Sequence, residues 1–390
     1  MILSENYANF FGILGDYLNN RETVLDKEID WSFILEYSIK HKLEGAFYTQ
    51  CKNIIPKEYV NKFRIASLMQ SKDFETKKNA VSDIEKKFTE NNIQFFIVKG
   101  IEVANYYPVP FTRSMGDIDV VVKTEDKEKA NKLLLELGFE NSTIYFNEWQ
   151  YTRGIVKLEL HDHIQYEEFT KNKESVKYTE TAWEHINTLP DSTNVKLDWN
   201  FHFIFLLLHL HKHFLNGGAG VRLFIDLVAV AQKNDLDWKY ISEVLQSFNF
   251  SGFASICLGL CSKWFDYTFP LQAELSDDFL IKSSETVMEN GVFGELQQGV
   301  ENSVCNVIGE KGRFSAMLSR YFPPLKLMKT DLRYKYLKYL PFLLPFAWFH
   351  RAVAAVKDGY LNSELKTVKV FFSKKEKIND RENFLSEWKA

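Results

Sequence analysis

Two short runs of this chain alternate acidic or imidazole side chains with aliphatic ones: DIDVVV at Asp117–Val122 and KLELHDH at Lys157–His163. Successive side chains of a β-strand point to opposite faces. Read as a strand, the first run sends Ile118, Val120 and Val122 into a core and leaves Asp117 and Asp119 together on the other face. The second places Glu159, His161 and His163 on one face, with Leu158, Leu160 and Asp162 opposite. Neighbouring carboxylates repel, and burying one is costly unless a cation or hydrogen bonds compensate it. The plain structural reading is a solvated strand entrance, with Asp117 and Asp119 paired to Arg113 and Lys99. If the two strands are sheet neighbours, however, Glu159 joins the Asp pair in an oxygen cage. Such a cage suits Mg²⁺, which completes its shell with water and substrate phosphates.

The flanking sequence sets these strands in an α+β context. Upstream of about Glu90, apolar residues recur every three or four positions, as in DWSFILEYSIKHKLEGAFY, and predict helices. IQFFIVKG reads as a buried strand closed by Gly100, then a helix broken at Pro108. TEDKEKANKLLLELGFE predicts a helix capped by Thr124 and stopped at Gly138. TIYFNEWQYT and IVKLELHDHI read as two strands joined at Arg153-Gly154 in a hairpin. After about Asp198 the pattern is helical again: WNFHFIFLLLHLHKHFL, a break at NGGAG, then VRLFIDLVAVAQKN and further helices through residue 300.

Bulk properties narrow the function classes. With 48 Lys and Arg against 52 Asp and Glu, the net charge of -4 gives no case for a general nucleic-acid coat. The four cysteines are too scattered for a disulfide framework, and Cys257 and Cys261, one helical turn apart, read as free thiols on an apolar face. The opening MILSENYANFFGILGDYL lacks the basic segment and cleavage site of a signal peptide, so a cytoplasmic location is expected. The apolar run Tyr339–Phe349 (YLPFLLPFAWF) is too short for a membrane span and holds Pro341 and Pro345. It is expected to be a buried or partner-facing element, with a membrane-surface contact the lesser reading.

A strand ending in VKG (Val98–Gly100), a helix start, a basic Arg113, an Asp-x-Asp strand and a later acid on a neighbouring strand follow one another in order. This arrangement resembles the DNA polymerase beta-like nucleotidyltransferase superfamily. Within it, the chain is most similar to a group of uncharacterised bacterial nucleotidyltransferases. FIVKG, YYPVPFTRSMGDIDVVV, ANKLLLELGF, VKLELHDHI and HLHKHFLNGGAGVRLFIDLV carry the likeness, with YFPPLKLM and YLPFLLPFAWFHR further on. The resemblance implies that Asp117 and Asp119 bind divalent metals, that Glu159 is the third acid, and that Gly100 flanks the triphosphate. Lys99, Arg113 and the adjacent Ser114 become phosphate or substrate contacts. The superfamily's second small residue is absent, since Ile101 and then Glu102 follow the Gly.

Other residues join the candidate set with plainer readings beside them. His161, on the face of Glu159, either orients that acid, touches the nucleotide or merely packs. His209 and His213 share a helix face at a spacing zinc sites also use, but no zincin pattern surrounds HLHKH, so a substrate-facing role for His213 is preferred to a metal. NGGAG (Asn216–Gly220) lacks a preceding strand and a GK[ST] ending and reads as an interhelical turn rather than a phosphate loop. Arg222 either pairs with Asp226 four residues on or reaches a phosphate or acceptor.

The expected architecture is α+β: a small mixed-sheet nucleotidyltransferase core over 93–195, flanked by N-terminal helices over 1–92 and a C-terminal helical domain over 196–390. The expected activity is Mg²⁺-dependent transfer of an NMP group from an NTP to an acceptor hydroxyl, two ions serving the in-line displacement. The acceptor class, whether sugar, lipid, protein or RNA, stays open. An abortive-infection-type toxin that modifies RNA or protein is one alternative. A catalytically degenerate nucleotide-binding or scaffold protein, which Ile101 and Glu102 favour, is another.

Overall fold

β1 (Phe95–Val98) and β2 (Ile118–Val122) are almost wholly apolar and wholly buried, and they form one side of a five-stranded mixed sheet. β3 (Glu140–Ile144), β4 (Trp149–Arg153) and β5 (Val156–His161) complete it in the order β1-β2-β5-β4-β3. Only β2 and β5 run parallel; the other neighbours are antiparallel. This computed structural model describes residues 3–24, 29–144, 149–164, 172–188, 192–216, 218–291, 321–329 and 332–357, with a few isolated positions such as Trp388.

The period-2 pattern divides the sheet as expected. Ile118, Val120, Val122, Leu158 and Leu160 face one core, while Phe96, Val98 and Val121 face a second. The first is covered by α4 (Lys57–Glu90), through Phe74, Ile84 and Phe88, and by α6 (Lys127–Glu136), through Ala130 and Leu134. The second is covered by the start of α8 (Trp199–Asn216), whose Phe201 and Phe205 pack on Phe96, Val98 and Val121.

α1 (Glu5–Leu18), α2 (Trp31–His41) and α3 (Glu44–Cys51) precede α4. α5 (Gly100–Ala104) follows β1, α7 (Lys173–Glu180) follows the sheet, and α9 (Val221–Lys233), α10 (Trp238–Ser247), α11 (Ser251–Phe265) and α12 (Asp277–Asn290) follow α8. Phe10, Leu14 and Phe47 of the first helices share one core with Phe203, Phe224 and Trp264 of the later ones. Phe11 stacks on Trp264 at 4.6 Å, and Gly15 lies so close to the Phe265 backbone that a Cβ there would sit 3.2 Å from it. Cys257 and Cys261 are free and buried in this core, as their helical spacing predicts.

Several local expectations change. TIYFNEWQYT is not one strand: it divides into the end of β3 and the start of β4, with 145–148 outside the described residues. The hairpin at Arg153-Gly154 joins β4 to β5, Gly154 taking a φ of +60°. Thr124 does not cap α6, because residues Thr124–Asp126 form a 3₁₀ turn ahead of the helix, without a side-chain cap. α5 is a single turn of five residues that ends at Ala104, short of the break expected at Pro108. Part of the predicted helix running to residue 300 lies outside the described residues. Near the C-terminus, α13 (Leu325–Met328) and α14 (Leu344–Lys357) form a small separate cluster. There the run Tyr339–Phe349 is largely exposed rather than buried, Phe346 and Phe349 keeping 69% and 72% of their surface. No helix among the described residues is long and apolar enough to cross a membrane.

Candidate active site

The parallel pairing of β2 and β5 decides the site. It sets Asp119 directly opposite Glu159 and Val121 opposite His161, while β1 sets Val98 opposite Asp119. Acids forty residues apart in sequence thereby meet on one face. Among the described residues, Asp119, Glu159 and His161 form a group whose ligand atoms lie within 4.8 Å of one another. Asp117 stands just before β2 and outside that group, but its carboxyl feels the charges of Asp119, Lys99, Glu159 and Arg222.

Two cationic side chains answer the acids. The Lys99 ammonium is 2.9 Å from Asp119 Oδ2, and His161 Nε2 is 3.4 Å from both Asp119 Oδ1 and Glu159 Oε2. Burial works against charge on His161, but hydrogen bonds to Asp119 and Glu159 outweigh it and raise its pKa to about 9. Burial likewise opposes the Lys99 charge, and Asp119, Asp117 and Glu159 overcome it. The reciprocal effect holds Asp119 well below the usual carboxylate range despite its burial, and the His161 hydrogen bond lowers Glu159. Asp117, with burial and Asp119 both against its charge, is pushed up. The site therefore contains one carboxyl that holds protons poorly and one that holds them well, two residues apart.

The backbone leading into β2 is pinned from three sides. Lys77 of α4 donates to the Met115 carbonyl at 2.5 Å, and Arg222 of α9 donates to the Ser114 carbonyl at 2.5 Å and to its Oγ at 3.3 Å. Arg113 makes a buried two-pronged ion pair with Asp226, at 2.8 and 2.7 Å. The expected Arg222–Asp226 pair is thus replaced. Asp226 serves Arg113 and the Tyr107 hydroxyl (2.6 Å), and Arg113 is committed to helix packing rather than left open to a phosphate. Arg222 remains a half-buried cation whose buried Nε has no hydrogen-bond partner among the described residues. Burial first, and then the adjacent Arg113, lower its pKa.

The Gly turn is also shaped from outside. Lys99 itself holds a φ of +58° with ψ −134°, a region costing a non-glycine residue about 1–3 kcal/mol, and Gly100 follows at φ +40°. The Lys99 backbone N–H donates to His202 Nε2 at 3.0 Å. For that nitrogen to accept, His202 must be neutral; burial, reinforced by Arg113 and Lys99, lowers its pKa to about 3. His202 is a site residue that strand alternation and the motifs do not reveal. The signal was present, since His202, His209 and His213 recur at seven and four residues on one face of α8. His213, its ring 4.4 Å from that of His209, is lowered to about 4, by burial first and then by Lys99, Lys212 and Arg222. Ile101 is buried in the sheet core and Glu102 pairs with Lys196 at 2.6 Å. His163 lies past the end of β5 and contacts Asp162 at 3.3 Å, so the strand alternation stops at His161.

A mixed sheet with acids in register on adjacent parallel strands, behind a strand–Gly–helix turn, is the arrangement expected of a nucleotidyltransferase. A family model described as "Uncharacterised nucleotidyltransferase" matches residues 27–266, well over half of the chain, and the chain belongs to that family. The family places it among the transferases. No curated protein matches the chain, and no solved structure does.

Proposed function

We propose that this protein is a Mg²⁺-dependent nucleotidyltransferase that moves an NMP group from an NTP to an acceptor hydroxyl. The observation that carries the reading is the β2–β5 register, which sets Asp119 and Glu159 side by side with Asp117 at the strand mouth. The donor set fits a hard divalent cation, since carboxylates dominate it, and the same carboxylates raise the His161 pKa to about 9 despite burial. Asp119 and Glu159, joined by Asp117, would hold the metal, with His161 beside them. Divalent ions held there would lower the pKa of the acceptor hydroxyl and neutralise phosphate charge.

The protein's own groups supply the rest. Lys99 and Arg222 are half-buried cations near the acids, and the free Nε donor of Arg222 suits a phosphate oxygen. At Gly100 a Cβ would touch Met115 Sδ at 3.6 Å and the Asp117 carbonyl at 3.9 Å, so the glycine answers the φ of +40° at the turn rather than crowding. Ser114 is held by Arg222 at the entrance, and neutral His213 lines the α8 side. In this reading Arg113 acts by positioning Ser114–Asp117 rather than by touching substrate. The test is incubation with each labelled NTP and a panel of sugar, lipid, protein and RNA acceptors. Wild type should release pyrophosphate, D119N should lose about 10²-fold or more of that activity, and R222A should weaken NTP binding. Equal rates in wild type and D119N would refute the mechanism.

One observation favours a second reading, a nucleotide-binding or scaffold protein without transfer. Lys99 and His161 themselves offer positive charge to Asp119 and Glu159. Calorimetry with Mg²⁺ and each NTP separates the two: binding without pyrophosphate release supports the scaffold.

A further inference from the structure

α14 presents apolar residues on two sides. Inward, Leu344, Ala347 and Trp348 pack with Met328, Tyr334 and Leu337, and the Trp348 indole donates to the Pro323 carbonyl at 2.9 Å. That contact set anchors the helix. Outward, Phe346, Phe349 and Val353 follow one another at helical spacing, and Phe342 and Tyr339 extend the stripe before the helix. All five are exposed, Tyr339 at 84%. A monomeric soluble protein rarely leaves so many large apolar side chains together in water, so the stripe calls for a cover.

Charge identifies the cover. Between Tyr321 and Lys357 the sequence holds seven Lys or Arg residues and one acid, Asp331, in a chain whose acids outnumber its bases elsewhere. Lys338 is exposed beside Tyr339, and His350 is exposed beside Phe349. A second copy would offer this base-rich segment no complementary charge. An anionic lipid surface complements the charge, and its interface accepts aromatic rings. We propose that the outer face of α14, with the basic segment before it, docks this protein on the surface of an anionic bilayer. The helix lies along the interface with Phe346 and Phe349 inserted and Lys338 among the headgroups; it does not span.

The test uses the full chain in flotation with unilamellar vesicles of phosphatidylcholine alone, or of phosphatidylcholine mixed with phosphatidylglycerol. Flotation with the mixed vesicles, falling as salt is raised, is expected, with little on phosphatidylcholine alone. The double variant F346S/F349S should reduce partitioning by about tenfold or more, with an unchanged far-UV circular dichroism spectrum. K338E, a single exposed change, should weaken it about fivefold or more and keeps the test open if the double variant misfolds. Absence of flotation with either vesicle overturns the proposal. So does salt-insensitive binding to both. A monomer–dimer equilibrium in sedimentation that F346S/F349S abolishes, without lipid binding, would assign the face to a second copy instead.

Discussion

Asp226→Ala tests the claim that an ion pair remote from the reacting atoms holds the acid-bearing loop. Asp226 accepts two hydrogen bonds from Arg113 and one from Tyr107, all in the interior. With charges roughly 4 Å apart and an effective dielectric constant of about 20, the pair attracts by about 4 kcal/mol. Desolvating each ion costs several kcal/mol, so the intact pair is close to break-even. Removing one partner is different: the Arg113 guanidinium stays buried and uncompensated, and about 3–5 kcal/mol is lost. For a chain of this length, unfolding entropy near 0.8 kcal/mol per kelvin converts that to a drop of roughly 4–6 °C in Tm. Calorimetry on full-length wild type and D226A measures it. The double variant Arg113→Met/Asp226→Leu, which removes both charges, should recover most of the loss. A D226A protein melting within about 1 °C of wild type would refute the argument, as would a double variant no better than the single one.

Three further outcomes follow from the site. His161 is protonated more readily in the folded chain, so its stabilisation is complete below pH about 6.5 and disappears as pH rises through about 9; urea titrations should show wild type losing up to about 3 kcal/mol across that window relative to H161Q. Parallel pH profiles for the two proteins would show that the imidazolium contributes nothing. If Asp119 and Glu159 hold Mg²⁺ as proposed, the His161 proton competes with the ion for their oxygens, so Mg²⁺ affinity measured by calorimetry should rise between pH 7 and 9, and a flat profile contradicts that ligand set. Replacing His202 with Ala strands the Lys99 N–H and should cost about 1–3 kcal/mol in denaturant unfolding, with a fall in NTP affinity as the turn relaxes; a loss of stability without any change in affinity would confine His202 to packing.

Much of the site was legible in the chain itself because side-chain alternation is a local property. Asp119 opposite Ile118 and Val120, and Glu159 between Leu158 and Leu160, follow from period two alone, and the α8 and α9 helices follow from apolar recurrence. Arg113 illustrates the other kind of residue. Two acids compete for it in the sequence reading, and a partner 113 positions away wins because α9 packs against the loop. His202 was hidden for the same reason: an imidazole in WNFHFIF looks like core until the Lys99 backbone is laid against it.

The sequence by itself determined that two amphipathic strands would each carry acids on one face, since covalent geometry allows no other alternation. Tertiary structure alone decided that those strands lie parallel and in register, that Asp119 meets Lys99 and His161, and that Arg113 turns to Asp226. Pairing register and long-range charge partners depend on which elements pack together, and no local spacing encodes that choice.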